Sequence, residues 1–198
     1  MRIACAMLAA GGSQRLGEPK QLLYRGDRTL VRATYDAVSG GGCEPIAVIV
    51  GAHAERIMAA LAGAALARID NPEWSTGIAS SIRSALPWAA AIGCEALLLT
   101  GCDQPALSRE HVAALCERIR GGASAAASGY GGIAGAPAVF TRAWFARLEG
   151  LRGDRGAGAL LRGSADVEVL AWPGGADDVD TEADVERLGL RREPTAGR

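Results

Sequence analysis

Three short stretches of this 198-residue chain carry side chains suited to chemistry. The first, Gly11 to Lys20 (GGSQRLGEPK), is a glycine-rich loop holding one Arg and one Lys. Its glycines let backbone N–H groups approach an anion, and Arg15 and Lys20 bring the charge to neutralise it. A triphosphate suits such a loop; read alone, so does a surface turn with two solvated cations. The other stretches are Gly101 to Pro105 (GCDQP) and Asp177 to Thr181 (DDVDT), each with carboxylates in a turn-like setting.

The loop fits neither common phosphate template. A dinucleotide fingerprint needs G-x-G-x-x-G, but from Gly11 the chain runs GGSQRLG. A P-loop needs Lys and a hydroxyl after its second glycine, where this chain has Glu18 and Pro19. Glu repels phosphate and Pro has no N–H to offer. The two histidines, His53 and His111, fall early in predicted helices with no neighbouring Ser or Cys that would make a triad. Cysteines at 5, 43, 94, 102 and 116 have no C-x-x-C spacing, so they read as small buried hydrophobes instead of a disulfide or zinc framework. With a formal net charge of -1 and 49% apolar residues, the composition gives no footprint for nucleic acid or a membrane surface. No apolar run approaches the roughly 18 residues of a membrane span, and no signal peptide precedes the first strand, which predicts a cytoplasmic protein with a small-molecule partner.

These stretches need a scaffold, and the pattern supplies one. Ile3 to Ala10 is an apolar run without alternation, ended by a glycine pair, and reads as a strand buried on both faces. Thr29 to Val38 follows with helical spacing. The alternation continues: strand Pro45 to Val50, helix His53 to Leu61, strand Leu66 to Ile69, helix Gly77 to Leu86 stopped by Pro87, strand Glu95 to Thr100, and helix Arg109 to Arg120 capped by Ser108. Later elements are strands Ala123 to Ser128, Ala136 to Phe140 and Val167 to Trp172, and a helix Thr141 to Leu148. The segment 149 to 163 is expected to be a mobile loop with one helical turn, and 191 to 198 a disordered tail. Residues 1 to 190 then form a single α/β domain, three-layered, with a largely parallel central sheet. Such sheets bind ligands where strands end, which is where the three chemical stretches fall.

LAAGGSQRLGEPKQLL (8 to 23) resembles the signature of the MobA-like nucleotidyltransferases, most closely the molybdenum cofactor cytidylyltransferase (MocA-like) branch. NPEWSTGIASSI, GCDQP, GAPAVF, GDRGAGALL and DVDTEAD are similar to that family's later landmarks, in order along most of the chain. The resemblance implies a Rossmann-like, GT-A-like fold and transfer of a nucleotide from an NTP to an acceptor phosphate. It assigns Leu8, Ala9, Ala10, Gly11, Gly12, Ser13, Asn71, Gly77, Ser80 and Ser81 to the nucleotide. Arg15 and Lys20 would stabilise the leaving pyrophosphate. Asp103 and Asp180 would be the ligands of Mg2+, with Mn2+ as an alternative, and Gly135 and Pro137 would shape the acceptor side. On local pattern Asp103 also reads as an Asx-turn residue, and Asp180 as part of a helix N-cap with an acidic first turn.

The implied partners are CTP and a molybdopterin-type cofactor, with a molybdenum hydroxylase as client. Ala136 departs from the family pattern, in which a His or Arg stands beside the Pro, and this leaves the acceptor open. Other readings within the transferases are GTP as donor or a sugar phosphate as acceptor. From other classes, some relatives are NAD(P)H-dependent oxidoreductases on a dye-like substrate, and an idle cofactor carrier is a third reading. The retained Arg15, Lys20 and Asp103 argue against the carrier, which has no leaving group to stabilise.

Overall fold

The computed structural model describes residues 1–162, 164 and 166–192. In chain order it contains β1 (Ile3–Leu8), β2 (Tyr24–Arg25), β3 (Arg28–Thr29), α1 (Leu30–Gly40), β4 (Ile46–Val50), α2 (Ala54–Ala60), β5 (Ala67–Asp70), α3 (Ile78–Ala91) and β6 (Ala96–Gly101). Then follow α4 (Arg109–Arg120), β7 (Ala125–Tyr130), β8 (Ile133–Thr141), α5 (Phe145–Glu149), α6 (Gly158–Leu161), β9 (Val167–Ala171) and α7 (Glu182–Arg187).

Seven strands form one sheet in the order β5-β4-β1-β6-β8-β7-β9, and β8 alone runs antiparallel to its neighbours. β1 lies inside the sheet between β4 and β6, with Cys5 opposite both Ile46 and Leu98. Its unbroken apolar run follows from burial on both faces: Ile3, Cys5 and Met7 pack under α1, α2 and α4, while Ala4 and Ala6 pack under α3. A third cluster joins Leu23 and Leu30 to Val179, Val185 and Leu190, and so fastens α7 beneath the loop that follows β1.

Several sequence expectations are corrected. Pro87 does not stop its helix, which runs on to Ala91, because Ala85, Leu86 and Ala89 continue the buried stripe across it. That packing outweighs a missing N–H. The segment 149 to 163 is pinned over its described part instead of loose. Leu151, Ala157 and Leu161 are buried, the Ala79 amide donates to the Gly153 carbonyl (3.1 Å), and Arg83 donates to the Leu151 carbonyl (2.9 Å). The expected tail lies outside the described residues from 193 onward. Arg191 and Arg192, however, are held: the Tyr24 amide donates to the Arg191 carbonyl (2.7 Å) and the Arg191 amide to that of Tyr24 (2.9 Å), while Arg192 pairs with Glu18 and Glu182. Among the described residues no helix is long and apolar enough to cross a membrane.

Candidate active site

The loop after β1 is shaped by its own backbone. Ser13 takes a positive φ (49°), its carbonyl accepts from the Leu16 and Gly17 amides (both 3.0 Å), and its hydroxyl accepts from the Lys20 amide (3.1 Å). Pro19, with no N–H to satisfy, precedes a single 3-10 turn at Lys20–Leu22. Gln21 is buried in that turn and donates Nε2 to the Ala9 and Gly11 carbonyls (3.2 and 3.1 Å), which ties the loop's end to its start.

Lys20 is thereby aimed at two carboxylates. Its Nζ lies 2.8 Å from Asp103 Oδ2 and 2.8 Å from Asp180 Oδ1, and Arg15 Nη2 lies 2.8 Å from Asp180 Oδ2. Burial pushes the Lys20 ammonium down, but the charges and hydrogen bonds of Asp103 and Asp180 outweigh it and hold its pKa above the ordinary value. Burial pushes Asp180 up, yet Lys20 and Arg15 together hold its pKa below the carboxylate norm. Asp178 goes the other way, raised by burial and then by repulsion from Asp180 and Asp103. Sequence reasoning did not single out Asp178, although it lines the same cleft.

Asp103 owes its position to two contacts. A Cβ on Gly101 would sit 2.4 Å from Asp103 Oδ1, so the carboxylate folds back over a glycine. The Val179 amide donates to the Asp103 carbonyl (3.0 Å), which draws the Asp178–Asp180 arm alongside. Next in sequence, Gln104 donates Nε2 to the Ala136 and Gly175 carbonyls (3.2 and 3.0 Å) and thus ties the Asp103 turn to β8 and to the segment before Asp178. Cys102 is buried and its thiol pKa is pushed up by that burial, which makes it an inert neighbour of the carboxylates.

The cleft has a volume of about 570 Å3. Of the residues assigned from sequence, Leu8, Ala10, Gly11, Gly12, Lys20, Gly77, Ser81, and Asp103 line it, while Ala9, Ser13, Arg15, Asn71, Ser80 and Asp180 stand off its wall. Asn71 is wholly occupied: Nδ2 donates to the Ser80 and Ser81 hydroxyls (2.9 and 3.0 Å), and Oδ1 accepts from the Glu73 amide (3.0 Å). It therefore sets the start of α3, and Ser81 is the hydroxyl of this trio that reaches the cleft. Trp74 packs over Gly12 and Gly51, where a Cβ would meet its ring at 3.0 and 2.7 Å, and forms part of the wall. Gly135 faces a neighbouring cavity beneath the Tyr130 hydroxyl, and the Pro137 carbonyl accepts from Ser128 (2.7 Å).

Asp103 and Asp180 converge on one ammonium, so they present hard anionic oxygens to a single cationic point. That donor set fits Mg2+ or Mn2+. Among the described residues no group of three or more His, Cys, Asp or Glu is placed to hold a metal. An ion here would complete its shell with water and ligand phosphate, as small hard cations commonly do.

The arrangement is a glycine-rich loop after β1 whose Lys20 meets Asp103, just after β6, and Asp180, just before α7. The sequence model of the MobA-like NTP transferase domain matches residues 5–169. The chain belongs to that family. It is accordingly an enzyme of the nucleotidyltransferase class on a Rossmann-like α/β fold. Its relatives include a protein named nicotine blue oxidoreductase from Paenarthrobacter nicotinovorans, 33% identical over 196 residues that cover 92% of this chain and 94% of that one. The crystal structure of Rv0371c from Mycobacterium tuberculosis H37Rv superposes with a TM-score of 0.79 at 31% identity, covering 95% of this chain and 98% of that one. A manganese complex of Rv0371c gives 0.77 at 27% identity over the same shares, 95% and 98%.

Proposed function

We propose that this member of the family is a cytoplasmic cytidylyltransferase that moves CMP from CTP to the phosphate of a molybdopterin-type molybdenum cofactor, releasing pyrophosphate, with Mg2+ as the working ion and Mn2+ able to replace it. The product would serve a molybdenum hydroxylase. The observation that carries the transfer chemistry is the bonding of Lys20 to both Asp103 and Asp180 at the cleft. The PKQLL form of the loop and the Asn71 to Ile82 segment favour CTP, through their likeness to the cytidylyl branch.

In the reaction an acceptor phosphate oxygen bonds to the α-phosphorus as the bond from that phosphorus to the bridging oxygen breaks, and the electron pair leaves with pyrophosphate. The acceptor oxygen is already ionised near neutral pH, so no general base is required. Lys20 and Arg15 offset the charge that grows on the leaving group. Gly11 and Gly12 let the backbone approach the phosphates, and Ser81 offers a hydroxyl from the first turn of α3. A divalent ion held by Asp103 and Asp180 would add positive charge at the same phosphates.

A second reading, an NAD(P)H-dependent oxidoreductase, draws on the 33% identity with the protein named nicotine blue oxidoreductase. The glycine spacing after β1 and the cation-bridged aspartates favour the transferase. Calorimetric titration with CTP, GTP and NADPH, with and without Mg2+, separates the two. Mg2+-dependent CTP binding that weakens in Asp103→Asn supports the proposal. Binding of NADPH without any triphosphate sinks it.

A further inference from the structure

A cavity of about 410 Å3 stands apart from the cleft, between the β2–β3 hairpin, the start of α1, and α2. Among the described residues the two hollows have no lining residue in common. A single 3-10 turn separates them: Lys20 and Gln21 line the cleft, and Leu22, next along that turn, lines the cavity. Ala59 and Ala60 add apolar wall, but the charged side chains around the space are Arg28, Arg32 and Arg56 against one carboxylate, Asp27.

In a chain of net charge -1 this is a local excess of cations. Arg28 and Arg32 share a single acid, Asp36, which Arg28 meets through Nη1 and Arg32 through Nε at 3.3 Å. Arg32 also donates Nη1 to the Ala62 carbonyl (3.1 Å), which fixes it on the wall. One carboxylate thus serves two guanidiniums, and Arg56 brings a third to the same space from α2. The backbone adds to the excess. Arg28 comes two residues before α1 and Arg32 lies in its first turn, which holds no acidic side chain. A helix N-terminus carries roughly half a positive charge, so both arginines stand against the dipole. Thr29, the N-cap, also lines the cavity. Guanidiniums and a helix start that converge on one hollow favour an anion, and a phosphoryl group, with several oxygens to accept from forked donors, suits them.

We propose that this cavity binds a small phosphoryl anion at a site separate from the cleft, with Arg28, Arg32 and Arg56 gripping its oxygens and the start of α1 completing the positive field. Leu22 belongs to the turn that presents Lys20, so an occupant here braces that turn from behind and reaches the cleft without entering it. The inference is independent of which nucleotide or acceptor the cleft takes.

The test is calorimetric titration with inorganic pyrophosphate, free of divalent ions, on the full-length protein carrying Lys20→Met, which removes the main cation of the cleft. One pyrophosphate per chain should still bind saturably, and adding Arg28→Gln/Arg56→Gln should weaken it about tenfold or more. Adding Arg109→Gln instead, which deletes an exposed arginine elsewhere, should leave it unchanged. Hydrogen exchange on the protein without any substitution gives the location: pyrophosphate should slow exchange in peptides covering 20 to 32 and 54 to 60, and the slowing over 54 to 60 should vanish in Arg28→Gln/Arg56→Gln. No binding to the Lys20→Met protein, equal weakening by Arg109→Gln, or no protection over 54 to 60 overturns the inference. Loss of CTP binding beside intact pyrophosphate binding in the cavity refutes cytidylyl transfer alone.

Discussion

Replacing Gly101 by Ala should separate catalysis from stability. The added methyl would lie 2.4 Å from Asp103 Oδ1, whereas ordinary contact begins near 3.4 Å, so the carboxylate must retreat by about 1 Å. It is the end of a rotatable side chain, so it moves instead of the backbone. The movement breaks its 2.8 Å pairing with Lys20. Because that pair is partly open to water, its loss costs at most about 1 kcal/mol of stability. Gly101 is not in the left-handed region, and Ala at a strand end returns roughly 0.5–1 kcal/mol by restricting the unfolded chain. The melting temperature should therefore barely change. Catalysis should not escape so lightly, since a misplacement of about 1 Å in a positioned group costs on the order of a hundredfold in rate, or about 2.7 kcal/mol. Pyrophosphate release measured beside differential scanning calorimetry reads both quantities. A variant with unaltered turnover and unaltered Mn2+ affinity would show that the Asp103 carboxylate does not have to stand where Gly101 lets it.

Other consequences can be checked on the same preparation. Asn71→Ala removes the donor to Ser80 and Ser81 and should lower stability by roughly 1–3 kcal/mol in urea unfolding, and an unchanged midpoint would mean the trio contributes nothing. Burial lowers the His111 pKa from an ordinary 6.5 to about 4, so below pH 6.5 the unfolded chain takes up a proton that the folded one refuses. Stability should then fall as pH drops from 6.5 to 4, by up to about 3 kcal/mol from this group, and His111→Gln should lack that share of the slope. All five cysteines are buried, so Ellman's reagent should label none in the native protein and all after denaturation; rapid native labelling of Cys102 would contradict its enclosure.

What could be read from sequence followed physical lines. β1, β4 and β6 announced themselves as unbroken apolar runs because both their faces are buried, and the glycines after β1 fall at the end of the sheet where the cleft opens. The reversed β8 between β6 and β7 left no local trace, since strand order depends on pairings between distant segments. The hairpin of β2 and β3 was missed although Gly26-Asp27 signals a tight turn, because its strands are too short to alternate visibly. The bond from Lys20 to Asp180 spans 160 residues, so the loop's charges suggested phosphate contacts while their protein partners stayed hidden. Asn71 and Ser80 were read as facing the nucleotide, and a string of small polar residues gives no sign that they bond one another. Pro87 misled because its breaker chemistry gave way to packing along α3, and the segment from 149 has its expected helical turn at Gly158–Leu161 but is bonded to α3 instead of loose.

The third apolar cluster has a bearing on how the protein can be trimmed. The recognisable family segment ends at 169, yet Val179, Val185 and Leu190 pack against Leu23 and Leu30, and Arg191 closes a two-way backbone bridge with Tyr24. A clone cut at the family boundary would lose Asp178 and Asp180 and would strip the floor from beneath the loop after β1, leaving apolar Leu23 and Leu30 in solvent. The smallest unit worth expressing therefore runs at least to Arg192, whose guanidinium bridges Glu18 of the loop and Glu182 at the start of α7.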